Sequence, residues 1–129
     1  MISTVNSLGI FGCNAYRVRI EVDVSGGLPG ISIVGLPDQA VRESRDRIKP
    51  AIKNSGLPFP HRRITVNLAP AEIRKEGPSF DLAVAIALVA TSGIPSLTSE
   101  ILAGYYILGE LSLQGDFPVE QDGVQCLFR

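Results

Sequence analysis

The stretch from Lys75 to Ala90, KEGPSFDLAVAIALVA, sets a single serine, Ser79, between a charged glycine-proline turn and a nearly unbroken apolar run. A serine hydroxyl at a helix mouth, beside free backbone N–H donors, could serve as a nucleophile if a base lies within hydrogen-bond reach. Lys75, His61 and the neighbouring acids are the available bases, and spacing alone places none of them. The structural alternative is that Ser79 is the helix N-cap, its hydroxyl accepting from a backbone N–H two or three residues on, with Asp81 complementing the helix dipole. The residues favour capping. His61 is the sole histidine, and Cys13 and Cys126 stand alone without metal-ligand spacing, so a histidine triad has little support and a zinc cluster is close to excluded. No glycine is followed by lysine, so the phosphate-cradling P-loop pattern is missing.

A second candidate is electrostatic. The formal net charge is −1, yet Pro37 to Arg63 holds seven basic residues (Arg42, Arg45, Arg47, Lys49, Lys53, Arg62, Arg63) against three acids. Arg42, Arg45, Lys49 and Lys53 step by three or four and so line one helical stripe opposite the apolar face. His61, Arg62 and Arg63 extend it if the chain folds back. Such a stripe either contacts DNA phosphates or an acidic neighbour in a ring, or is a solvated face with Glu43 and Arg47 paired at i, i+4. Aromatic residues are few, which gives base stacking no support.

These groups need a scaffold. Tyr16, Val18, Ile20, Val22 and Val24 alternate with Arg17, Arg19, Glu21 and Asp23, the period of a half-buried strand. SGGLPG (25–30) reads as a turn and ISIV (31–34) as a second strand, predicting an antiparallel hairpin. Residues 3–10 read as another strand. Val41, Ser44, Ile48, Ala51, Ile52 and Ser55 predict an amphipathic helix over 38–55, started by Pro37 or Asp38, kinked or shortened at Pro50 and ended by Gly56. Residues 63–68 read as a strand, 80–91 as a buried helix, and 105–115 as one or two strands. That order predicts an α/β (α+β) two-layer sandwich without repeats or linker.

A chain of 129 residues, 45% hydrophobic and 19% charged, fits one soluble domain, here taken as 1–129. The longest apolar run, Leu82 to Ala90, is shorter than the roughly 18 residues a membrane span needs. No basic region precedes the first apolar residues, so the expectation is a cytoplasmic protein that meets no membrane.

GPS followed by an apolar helix resembles the proteolytic domain of Lon, where that serine is the nucleophile of a Ser-Lys dyad. GLPDQAVRESRDRIKPAIKNSGLPFP, RITVNLAPAEIRKEGPSFDLAVAIALVA and LGELSLQGD more closely resemble the N-terminal domain of the ComM/YifB family of magnesium-chelatase-like AAA+ proteins. The resemblance covers most of residues 5 to 116. It implies a Lon-like fold, shared with a ribosomal-protein second domain and the GHMP kinases, joined to a downstream AAA+ module that would bind ATP and Mg. It also implies a homo-hexameric ring resembling a DNA branch-migration helicase of natural transformation. Ser79 matches Lon's nucleophile, but the place of the dyad lysine falls near Val124 or Gln125, and no lysine follows Lys75. The family is not one of peptidases. The expectation is therefore a non-catalytic domain with no cofactor of its own, giving ring assembly or DNA contact through Arg42, Arg45, Lys49, Lys53, Arg62 and Arg63. The alternatives are a Lon-type peptidase or a purely structural oligomerisation module. The tail from about 117 to 129 departs from the family pattern, and the expectation is a fragment of a longer AAA+ protein with a truncated or altered end.

Overall fold

The computed structural model describes residues 2–11, 13–77, 79–113 and 127–128. Strands β1 (Ile2–Phe11), β2 (Asn14–Ser25), β3 (Gly30–Val34), β4 (Arg63–Ala69), β5 (Tyr106–Ile107) and β6 (Leu127–Phe128) form one mixed sheet in the order β3-β4-β2-β1-β5-β6. Helices α1 (Gln39–Arg42), α2 (Ser44–Asn54), α3 (Asp81–Ala90) and α4 (Ser99–Leu102) complete an α/β domain.

The alternation read in β2 is what buries it. Val18, Ile20 and Val22 are fully buried, while Arg17 and Arg19 are exposed. Register carries that pattern across the sheet: Val5 lies beside Ile20 and Ile20 beside Leu68, and Val22 lies beside Val66, which lies beside Ile33. α2 contributes Ile48, Ala51 and Ile52 to this core, and α3 contributes Ala83, Val84, Ala87 and Leu88. α3 is apolar nearly all round because it packs on β1, β2 and α2 together.

The expected β2–β3 hairpin does not form. β4 inserts between the two strands, antiparallel to β2 from Arg19↔Ala69 to Ser25↔Arg63 and parallel to β3 from Gly30↔Arg63 to Val34↔Asn67. The longer β4 ladder takes the β2 edge, and β3 becomes the outer strand of a parallel pair crossed by α1 and α2.

The 38–55 helix is also divided differently from expectation. Asp38 caps it, its Oδ1 accepting from Val41 N–H at 2.8 Å. The interruption is at Glu43, whose C=O accepts from Asp46 N–H at 2.9 Å in a tightened turn. The freed Arg42 C=O accepts instead from Arg45 Nε at 3.2 Å. Pro50 sits inside α2 without breaking it. The carbonyl it leaves without a donor belongs to Asp46, an exposed residue. Gly56, at φ 81°, ends α2 as its sequence predicts, and Leu57 N–H returns to Ile52 C=O at 3.2 Å.

Between residues 105 and 113 only Tyr106–Ile107 is strand, where the sequence predicts more. Gly109 is used instead to hold the start of α3: its N–H donates to Ser79 C=O at 2.8 Å and its C=O accepts from Leu82 N–H at 3.0 Å. Positions 114–115 of that predicted strand, and 117–126 and 129 of the atypical tail, lie outside the described residues.

Candidate phosphate-contact surface

α2 presents two charged flanks that do different work. On one, Arg47 donates from Nε to Asp81 Oδ2 at 2.6 Å and from Nη2 to Asp81 Oδ1 at 3.0 Å, joining α2 to α3. Asp81 is fully buried and also accepts from Ser44 Oγ at 2.5 Å and Leu111 N–H at 3.3 Å. Hydrogen bonding to Asp81 raises the Arg47 pKa above its ordinary value, partly opposed by burial. The sequence reading pairs Arg47 with Glu43; the guanidinium goes instead to Asp81, whose carboxylate is buried where Glu43 is exposed.

On the other flank, Arg45 and Lys49 face the start of β3. The segment LPFPHR (57–62) leaves α2 and folds back beside it, and Gly30 N–H donates to Arg62 C=O at 3.4 Å. A cavity of about 340 Å³ results, lined by Ile31, Arg45, Asp46, Lys49, His61 and Arg62 among others. Lys49 Nζ also stands 5.7 Å from the centre of the Phe59 ring, a cation–π contact that holds the ammonium toward this segment. Arg45, Lys49, His61 and Arg62 thus surround one opening, with Asp46 the opposing charge among the described lining residues.

The six residues expected to touch DNA are therefore not equivalent. Arg45, Lys49 and Arg62 converge on the cavity, while Arg42 and Lys53 are exposed on α1 and α2 and do not line it. Arg63 belongs elsewhere: it alternates with the buried Ile64 and donates from Nη2 to Ser32 Oγ at 3.3 Å on the other face of the sheet. Strand alternation forces this, since adjacent residues of β4 point to opposite faces.

Ser79 does not occupy the N-cap position. α3 begins at Asp81 with Phe80 at the cap and no side-chain cap bond, because Gly109 supplies a carbonyl for the helix start. Lys75, the amine nearest in sequence, is turned away into the core. It is completely buried, and its Nζ donates to Gly35 C=O at 2.8 Å and to Pro70 C=O. Burial lowers its pKa from the ordinary lysine value, with Glu72 acting weakly the other way. No hydrogen bond joins Lys75 to Ser79. Gly35 has φ 105°, and a Cβ there would meet the Leu68 carbonyl oxygen at 2.1 Å, so the bend that offers its carbonyl to Lys75 requires glycine.

Sequence reasoning missed both the Ser44–Arg47–Asp81 cluster and the buried Lys75. For the first there was one signal: Asp81 is the lone charge in FDLAVAIALVA. For the second there was none, because lysines are rarely buried. A further cavity of about 470 Å³ lies by Tyr16, whose hydroxyl donates to Arg74 C=O at 3.1 Å. Among the described residues no group of three or more His, Cys, Asp or Glu side chains could hold a metal ion, and no helix is long and apolar enough to cross a membrane.

The family model described as subunit ChlI of Mg-chelatase matches residues 20–124. The chain belongs to the ComM/YifB family of Mg-chelatase-like proteins. It is 47% identical over 114 residues to the uncharacterized protein YifB of Salmonella typhimurium, covering 88% of this chain and 22% of that protein. YifB of Escherichia coli matches to the same extent. The competence protein ComM of Haemophilus influenzae is 42% identical over 114 residues, with the same coverage of both chains. The chain thus spans about a fifth of the length of these ComM/YifB relatives.

Proposed function

We propose that this chain is a non-catalytic domain of a ComM-like, magnesium-chelatase-like AAA+ ATPase, and that it contacts DNA phosphates through the α2 flank and the 59–62 segment. In this reading the rest of the protein binds ATP and Mg, copies of it assemble into a cytoplasmic ring, and the ring moves branched DNA. Family membership and the competence-protein relative support the setting. One observation carries the contact: the fold-back that brings His61 and Arg62 beside Arg45 and Lys49 around a single cavity. Arg42 and Lys53 extend the positive surface along the helices, whereas Arg63 stands apart on the opposite face of the sheet. Several cations aimed at phosphates give affinity without sequence preference, and that affinity falls steeply with salt.

The test is a fluorescence-anisotropy titration of labelled duplex and branched oligonucleotides with this chain and with an Arg45→Glu/Lys49→Glu/Arg62→Glu variant. The reading predicts binding that the triple reversal weakens at least ten-fold. Binding unaltered by the reversal removes the flank from DNA contact, and absence of binding by a folded chain favours a structural oligomerisation role. Cleavage of an unfolded substrate by the protein but not by Ser79→Ala would overturn the non-catalytic reading.

A further inference from the structure

Among the described residues the outer edge of β3 carries no strand, since β3 ends the sheet and only β4 lies beside it. Its sequence, Gly30-Ile31-Ser32-Ile33-Val34, contains no lysine, proline or other charge that would discourage pairing. Gly30 N–H donates to Arg62 C=O, on the β4 side. Successive residues of a strand direct their N–H and C=O groups to alternate sides, so Ser32 and Val34 face β4 while Ile31 and Ile33 offer theirs outward. The strand is half-exposed along its length, and Val34 is 46% exposed at its end.

The cationic cavity adjoins the start of this strand, where Gly30 and Ile31 line it together with Ile64 of β4. Ile31 forms part of its wall, Arg45 and Lys49 of α2 line it from the helical face of the sheet, and His61 and Arg62 line it from the β4 side. A strand added to β3 would place every second side chain on that face, toward those cations. An apolar side chain there would strand positive charge, and a basic one would meet repulsion from Arg45, Lys49 and Arg62 against Asp46, the acid among the described lining residues. An acidic one is matched.

We infer that β3 and the adjoining cavity form a docking site for an extended acidic peptide segment, which adds to the sheet as a further strand and places a carboxylate among Arg45, Lys49, His61 and Arg62. Main-chain bonds to Ile31 and Ile33 supply register and the cavity supplies selectivity. The occupant shares cations with the phosphate contacts proposed above, so peptide and DNA compete.

The test uses the chain with a fluorescein-labelled nonapeptide of alternating valine and glutamate. A lysine-for-glutamate version and two versions N-methylated on either the glutamate or the valine amides serve as comparisons. The expected result is saturable binding, at least ten-fold weaker for the lysine peptide and for the Arg45→Glu/Lys49→Glu variant. One methylated peptide, whichever has its modified edge against β3, should also lose at least ten-fold, without any change to the protein. Ile33→Pro, which removes an outward N–H at a sheet edge, should reproduce that loss. No binding at millimolar peptide, equal binding of both methylated peptides, or equal binding of the lysine peptide each overturns the inference. DNA binding at the cavity without peptide binding overturns it and leaves the phosphate reading standing; peptide binding without DNA binding does the reverse.

Discussion

Replacing Asp81 with alanine should be among the most damaging single substitutions in the domain. The carboxylate is completely buried and takes four hydrogen bonds, from Ser44 Oγ, Arg47 Nε and Nη2, and Leu111 N–H. Truncation leaves the Ser44 hydroxyl, itself buried, without this partner and leaves the guanidinium, among the described residues, its 3.1 Å bond to Ala40 C=O. Breaking one side of a buried pair costs about 3–5 kcal/mol. The Arg47 side chain is 21% exposed, so water can recover part of its solvation, and the lower end, about 3 kcal/mol, is expected. For a domain of this size that is a fall in Tm on the order of 10 °C. Urea titrations of the protein, Asp81→Ala, Arg47→Ala and the double variant form the assay. The double variant should lose less than the sum of the singles, by about 1–3 kcal/mol. A loss below 1 kcal/mol for Asp81→Ala, or strict additivity, would refute the idea that this pair fastens α2 to α3.

Three further outcomes follow from the same geometry. Ser79→Ala should alter stability by less than about 0.5 kcal/mol in thermal unfolding, because the hydroxyl is not the N-cap; a loss near 1 kcal/mol would restore the capping role. Ser7→Ala should raise stability by on the order of 1 kcal/mol, since the Ser7 hydroxyl is buried with no hydrogen-bond partner among the described residues. Lys75 has its pKa lowered by burial, so in the window below 10.5 the unfolded chain holds the proton more tightly than the native one. The stability of the protein relative to Lys75→Met should therefore increase as pH rises toward 10.5, measured by urea midpoints at pH 7 and 10. The upward shift of the Tyr16 hydroxyl, from burial and Glu76, is common to both proteins and cancels in the difference. A difference that stays flat or falls contradicts the assignment.

What the sequence discloses follows from the range of each interaction. Strand β2 and helix α3 are legible because a period of two and an unbroken apolar run are local consequences of which face is buried. Gly56 is legible because a helix end there needs a positive φ. The position of β3 is not, because alternation fixes a strand's face but not its neighbour, and β4, some thirty residues on, took that place. Arg47 and Glu43 satisfy a helical spacing rule, yet Asp81, far along the chain, outcompetes it. The basic stripe was visible as a run of residue types, but its division was not. Only the fold decides that Arg45, Lys49 and Arg62 share a cavity while Arg63, one residue further, faces the other way.

Cations that meet phosphates displace condensed counterions, so the salt dependence of DNA affinity is the decisive measurement of the proposed contact. Each phosphate neutralised contributes about −0.9 to the slope of log K against log salt concentration on duplex DNA. Arg45→Ala/Lys49→Ala/Arg62→Ala should make the slope shallower by up to about 2.7, with Arg63→Ala alone having the smaller effect. A slope unchanged by the triple substitution, with the protein still folded, would contradict it.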